Sequence, residues 1–109
     1  MKNIFLRKKQ LIIGVAPLRR TAWTHKPFNQ PEAVKCKNDI LDFLKRYEEE
    51  DVSFISLEGL TDDGLLSNIP DADRIADYFS EKKVDALFVP HCNFGSEESL
   101  AHLAVKLGK

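Results

Sequence analysis

Glycine is scarce in this chain, five in 109 residues, and none lies between Gly14 and Gly59. That gap removes two common phosphate-binding devices. A dinucleotide fold needs G-x-G-x-x-G, and a P-loop needs G-x-x-x-x-G-K-[ST], because several backbone N–H groups must approach phosphate closely after the first strand. The corresponding segment here opens on Pro17, which has no N–H at all. Cysteine is also sparse: Cys36 and Cys92 could make one bridge at most, too few for the framework a small secreted domain needs, so free thiols are expected. The longest unbroken apolar run, residues 11–16, has six members counting Gly14, far short of the ~18 that cross a bilayer. After Met1 the first nine residues hold only three apolar ones, Ile4, Phe5 and Leu6, before charge returns, so they lack the core of a secretory signal. An excess of charge of either sign is missing too. Sixteen basic residues against seventeen acidic ones create no net field toward nucleic acid or an anionic membrane. These absences together describe a cytoplasmic protein.

The apolar content, 43% against 30% charged, is enough for one packed core, and the length suits one domain over residues 1–109. Residues 11–16 are apolar on both alternating faces, as a strand covered above and below must be. After Pro17 the periodicity stops, and residues 17–30 read as a long loop carrying Arg19, Arg20, Trp23, His25 and Pro27. Pro31 suits the first turn of a helix. Behind it Ala33, Cys36, Ile40, Phe43, Leu44 and Tyr47 form an apolar stripe opposed by charged residues. Residues 52–57 form a second strand, interrupted by Ser53 and Ser56 as an edge strand can be. Asp71 is a suitable N-cap for a second helix through Ile75, Ala76 and Phe79, ending at Lys82 and Lys83. Residues 84–89 give a third strand, Ser96 caps a third helix, and Gly108 stops it.

Strand-helix alternation of this length implies a parallel sheet with right-handed crossovers, most simply in the order 2-1-3. The third strand has the composition of an interior strand yet would lie at an edge, so the sheet reads as incomplete, with a partner chain or further polypeptide expected to cover it.

Ligands of open parallel sheets bind beyond the carboxyl ends of the strands, where strand order reverses. Here that point lies between strands one and three, whose loops hold Arg19, Arg20, Trp23, His91 and Asn93. Such residues suit a sugar: Arg and Asn orient hydrogen bonds to hydroxyls, and Trp offers a flat face to C–H groups. The bland alternative is that Trp23 and Phe28 only pack the loop while the arginines are solvated. His91 and Cys92 are adjacent and point to opposite sides of a strand, and no second His/Cys pair lies at ligand spacing, so a metal site is not expected. Cys36 reads as a core thiol and His102 as a surface residue.

Three segments carry more specific information. Pro17-Leu18-Arg19-Arg20-Thr21-x-Trp23, Phe28-Asn29-Gln30-Pro31-Glu32-Ala33 and Pro90-His91-Cys92-Asn93-Phe94-Gly95-Ser96-Glu97-Glu98 resemble the opening domain of the L-fucose and L-arabinose isomerase family, and the similarity runs over nearly the whole chain after Gln10. The resemblance implies a flavodoxin-like fold, an oligomeric aldose-ketose isomerase, and a divalent metal, typically manganese. Proton transfer between C1 and C2 needs carboxylates as acid and base and a metal to polarise the sugar oxygens. In that family those groups belong to later domains, and no residue of this chain matches them. The opening domain instead helps close an active site belonging to a neighbouring subunit. On that basis Arg19, Arg20 and His91, with Trp23 and Asn93, are the expected sugar contacts, and the isolated chain is expected to be inactive. Two other readings compete: a non-catalytic interaction module assembling through its sheet edge, and a flavodoxin-like binder of flavin or phosphate.

Overall fold

Residues 11–19, 30–48, 51–93 and 97–108 are described by the computed structural model. Their first strand, β1 (Leu11–Val15), runs parallel to β3 (Val52–Ile55) on one side and to β4 (Ala86–Phe88) on the other. Leu11 stands opposite Val52, and Ile13 stands opposite both Phe54 and Ala86. The sheet order β3-β1-β4 is the expected 2-1-3 arrangement. Helix α1 (Gln30–Lys45) connects β1 to β3, and α2 (Ile69–Glu81) connects β3 to β4. These crossovers run in opposite senses across the sheet, so right-handed connection puts the two helices on opposite faces. A third helix, α3 (Glu97–Leu107), packs against α2.

Alternation along β1 decides where the core lies. Its even-numbered positions face α2, and Ala16, Ile75, Ala76, Phe79 and Leu103 join Leu18, Leu57 and Leu66 in one buried cluster. Gly14 is the close-approach point: a Cβ there would sit 2.6 Å from Cε2 of Phe79. The ring therefore lies directly on the strand, an arrangement no larger residue permits without a shift.

Helix α2 begins differently from the sequence reading. Asn68, not Asp71, is the N-cap; its side chain accepts a hydrogen bond of 2.8 Å from the Asp71 N–H, and its Nδ2 donates to the Asp71 carboxylate at 3.1 Å. Pro70 explains the difference, since a proline is accommodated in the first turn and moves the cap two residues upstream of it. Gly108 ends α3 as expected, at φ +74° with its N–H bonded to Ala104 at 2.8 Å. The expected cap Ser96 lies outside the described residues.

The two loops need correcting, not the strand ends. β1 and β4 stop before Pro17 and Pro90 as expected, but short strands follow within the stretches read as loop: β2 (Leu18–Arg19) after Pro17 and β5 (His91–Asn93) after Pro90. β2 and β5 pair in parallel, with Leu18 opposite His91 and Arg19 opposite Asn93, across a register shift. Proline removes only a donor; its carbonyl stays in the ladder. Leu18 N–H donates to Pro90 O at 2.8 Å, and Leu66 N–H donates to Pro17 O at 2.7 Å. On its other side Arg19 N–H reaches Leu66 O at 3.1 Å. The chain returning after β3 thus lines β2 at Leu66 and buries Leu18 completely.

Candidate functional site

The carboxyl ends of β2 and β5 share one end of the molecule through their pairing, and this brings Arg19, His91 and Asn93 together in the register. His91 is exposed, while Cys92 beside it is half-buried, the alternation that a strand imposes. Arg20 and Trp23 lie outside the described residues.

Arg19 is held in a specific way. Its Nε donates to Asp63 Oδ2 at 2.7 Å, with only 11% of the arginine side chain and 9% of the aspartate side chain exposed. The same carboxylate accepts the Leu65 N–H through Oδ1 at 3.1 Å, which fixes the turn leading back to Leu66. A carboxylate bonded at both oxygens is a stiff support for a cation.

A second cation stands behind the first. Lys37 of α1 is 4% exposed, and its Nζ donates to Glu58 Oε2 at 2.7 Å and to the Asp63 carbonyl at 2.9 Å. The chain passes this ammonium at Gly64, whose φ is +74° and where a Cβ would lie 2.7 Å from Lys37 Nζ and 2.8 Å from Glu58 Oε2. Gly64 meets both requirements at once, a left-handed backbone and no side chain. Lys37, Glu58, Asp63 and Arg19 therefore link α1, the loop after β3, and β2 in one polar chain.

Sequence reading missed Lys37, Glu58 and Asp63. A signal for the lysine exists: Lys37 lies four residues after Ala33 and four before Leu41, inside the apolar stripe of α1, where a solvated cation would not be expected. Conversely Phe43 and Tyr47, assigned to that stripe, are 50% and 55% exposed and turn their rings toward each other at 5.0 Å between centroids. His102, expected simply on the surface, is half-buried, with Nε2 2.6 Å from Asp73 Oδ1 on α2.

The two cysteines belong to the same region, Cys36 on α1 and Cys92 on β5, and both are free thiols. Burial pushes the Cys92 thiol up to about 12, the adjacent Cys36 sulfur adds to the rise, and Lys37 opposes it. At neutral pH Cys92 is thus a protonated thiol and not a nucleophile.

Among the described residues no three His, Cys, Asp or Glu side chains converge in a way that could hold a metal ion. The nearby carboxylates are already engaged, Asp63 by Arg19 and Leu65, Glu58 by Lys37. A divalent cation would have to displace those partners, so this end does not fit a manganese site. A groove of about 480 Å³ adjoins it between α1 and β3, floored by Leu41, Leu44 and Phe54 and reaching Glu58. No helix among the described residues is long and apolar enough to cross a membrane.

Neither the comparison with curated proteins nor that with solved structures found a match. A family model does match, over residues 19–108, and it is the one described as the fucose/sulfoquinovose isomerase N-terminal domain. The matched span includes Arg19 of β2, all of β5 and the whole of the Lys37–Asp63–Arg19 chain, and so this protein belongs to the fucose/sulfoquinovose isomerase N-terminal domain family.

Proposed function

We propose that this chain is the sugar-facing, non-catalytic domain of an aldose-ketose isomerase, flavodoxin-like in its parent topology, cytoplasmic, and working in an oligomer. Arg19, Arg20, Trp23, His91 and Asn93 contact the sugar, and the carboxylates that would move the proton between C1 and C2, with the manganese that would polarise the sugar oxygens, come from polypeptide other than these residues. The observation that carries this reading is the register of β2 and β5, which sets Arg19 opposite Asn93 and Leu18 opposite His91 at the carboxyl end of the sheet. That is the end at which ligands of parallel sheets are bound. Family membership supports the chemical class of the ligand.

Titration of the chain with L-fucose and L-arabinose, followed by backbone amide NMR, tests the proposal. Shifts are expected at His91 and Asn93. Alanine at either position removes a hydrogen bond of about 0.5–1.5 kcal/mol and weakens affinity roughly 2- to 10-fold. Shifts elsewhere only, or none at any sugar concentration, would refute it. Isomerase turnover with manganese is expected to be absent.

One observation favours a second reading. β4 closes the described sheet order and leaves Phe88 41% exposed, which suits assembly through that edge. Sedimentation separates the two, since a strictly monomeric chain that still binds sugar rules out assembly through the β4 edge and leaves the sugar-contact part of the first reading, with any oligomer then built through other polypeptide.

A further inference from the structure

Helix α3 has two unlike sides. Ser99 and Leu103 are buried, and Leu100 and Leu107 pack with Leu103 on the core. Turned away from them, Ala101 and Val105 stand one helical turn apart in solvent, Val105 with 81% of its surface exposed. Ile69, exposed at the start of α2, lines the same shallow face, together with Glu98, His102 and Lys106. A lone exposed aliphatic residue is ordinary, but three sharing one face mark a contact surface. The charges around them indicate what it meets. Glu98 lies in the first turn of α3 and Lys106 in the last. The helix dipole accounts for that order but not for the aliphatic strip between them. With one carboxylate and one ammonium at opposite ends, the face favours neither an anionic nor a cationic partner. It matches a surface of the same chemistry in reverse order, which a second copy of the chain presents when turned by half a revolution.

From this we propose that two copies of the chain pair through antiparallel α3 helices, about a two-fold axis close to His102. Residues 98 and 106 are equally far from 102 in sequence, so such an axis sets Glu98 of each copy beside Lys106 of the other. The same contact takes Ala101, Val105 and Ile69 out of water. Lys106 Nζ already donates to Asp73 Oδ1 at 3.0 Å, and His102 Nε2 lies 2.6 Å from that oxygen. Glu98 of the second copy therefore joins an existing network, and the exposed ion pairs fix the direction of pairing more than they add strength. A face this small falls short of the ~1,200 Å² of a stable interface, so the dimer is weak and concentration-dependent. The pairing gives the oligomer proposed above a surface, and it is independent of the sugar contacts.

Sedimentation velocity on the intact chain, from about 10 μM to about 1 mM, tests the pairing. The sedimentation coefficient should rise with concentration toward that of a dimer and no further, because a two-fold contact is closed. Val105→Glu sets a carboxylate against Glu98 of the second copy; it should leave the circular dichroism spectrum unchanged and weaken association about tenfold or more. Glu98→Lys and Lys106→Glu should each weaken it similarly. An equimolar mixture of those two chains should regain it, since each then meets its complement at both ends. Phe88→Lys, on the exposed side chain of β4, should change nothing. The proposal is overturned if the chain stays monomeric throughout, if Val105→Glu associates as wild type does, if mixing restores nothing, or if Phe88→Lys abolishes the dimer. Sugar binding is read separately at His91 and Asn93, so failure of either reading leaves the other standing.

Discussion

Replacing Asp63 should destabilise this protein more than most surface-loop changes do, because the carboxylate compensates a cation that water barely reaches. With 11% of Arg19 and 9% of Asp63 exposed, the pair is close to the buried limit, in which removal of one partner costs about 3–5 kcal/mol. Asp63→Ala also deletes the acceptor for the Leu65 N–H. Arg19 and Asp63 each take part in a further interaction, and about 3 kcal/mol, the lower end of that range, is the expected value. For a domain of this size that lowers Tm by roughly 12 °C or more. Asp63→Asn keeps one acceptor oxygen in place of two, so either the Arg19 Nε–H or the Leu65 N–H loses its partner, and the cost should be intermediate, about 2 kcal/mol. The informative variant is Arg19→Met in the Asp63→Ala background. It removes the stranded cation, and exchanging a buried pair for apolar groups is often neutral. The double variant should therefore be more stable than Asp63→Ala alone. Urea titration followed by circular dichroism is run on wild type, Asp63→Ala, Asp63→Asn, Arg19→Met and the double variant. The reasoning fails if Asp63→Ala unfolds within about 0.5 kcal/mol of wild type, or if the two substitutions simply add.

Other outcomes follow from contacts elsewhere. Gly14→Ala drives a methyl into the Phe79 ring; overpacking of about 1–3 kcal/mol outweighs the backbone gain of about 0.5–1 kcal/mol, and Phe79→Leu in the same chain should restore part of the loss in thermal melts. Asn68→Ala removes the α2 cap and should cost about 1 kcal/mol by urea titration. Asp73 lies below the usual carboxylate range because His102, and then Lys106, bond to it. A lowered folded value stabilises the protein above the unfolded pKa of about 4 and is lost as pH falls through the folded one. The Asp73→Asn chain should accordingly show a flatter fall in stability below about pH 4, and a fall as steep as wild type would exclude the contact.

How much of this was legible from the residues alone varied with the range of the forces involved. The sheet order followed from three apolar runs and two amphipathic helices, since burial of alternating faces is written locally into composition. β2 and β5 were not legible. Each has only two or three residues, sits beyond a proline, and exists because Leu66 and the opposing strand supply main-chain partners from far along the chain. The cap on α2 was misread at Asp71 for a local reason, the weight of Pro70 against a better acceptor at Asn68. Arg19 was named as an expected sugar contact, but its partner Asp63 stands 44 positions away, and no periodicity connects them. Lys37 could have been found, as a cation in an apolar stripe, though its acceptors could not.

The pairing of these cations bears on what kind of ligand suits this end of the sheet. Arg19 and Lys37 each face a carboxylate at 2.7 Å, so among the described residues their charges are spent within the protein. An anionic ligand gains from unpaired cations, and two neutralised pairs offer it little long-range attraction. A neutral polyol needs something else, donors and acceptors held at fixed angles, because its hydroxyls exchange water for protein at small net gain and reward only good geometry. The chain from Lys37 through Asp63 to Arg19 supplies that rigidity: α1, the turn at Gly64 and β2 cannot move separately without breaking either the bond of the buried Lys37 ammonium to the Asp63 carbonyl or the Arg19–Asp63 ion pair. Rigidity without net charge is what a domain needs if it is to hold sugar hydroxyls in place for chemistry performed by other residues.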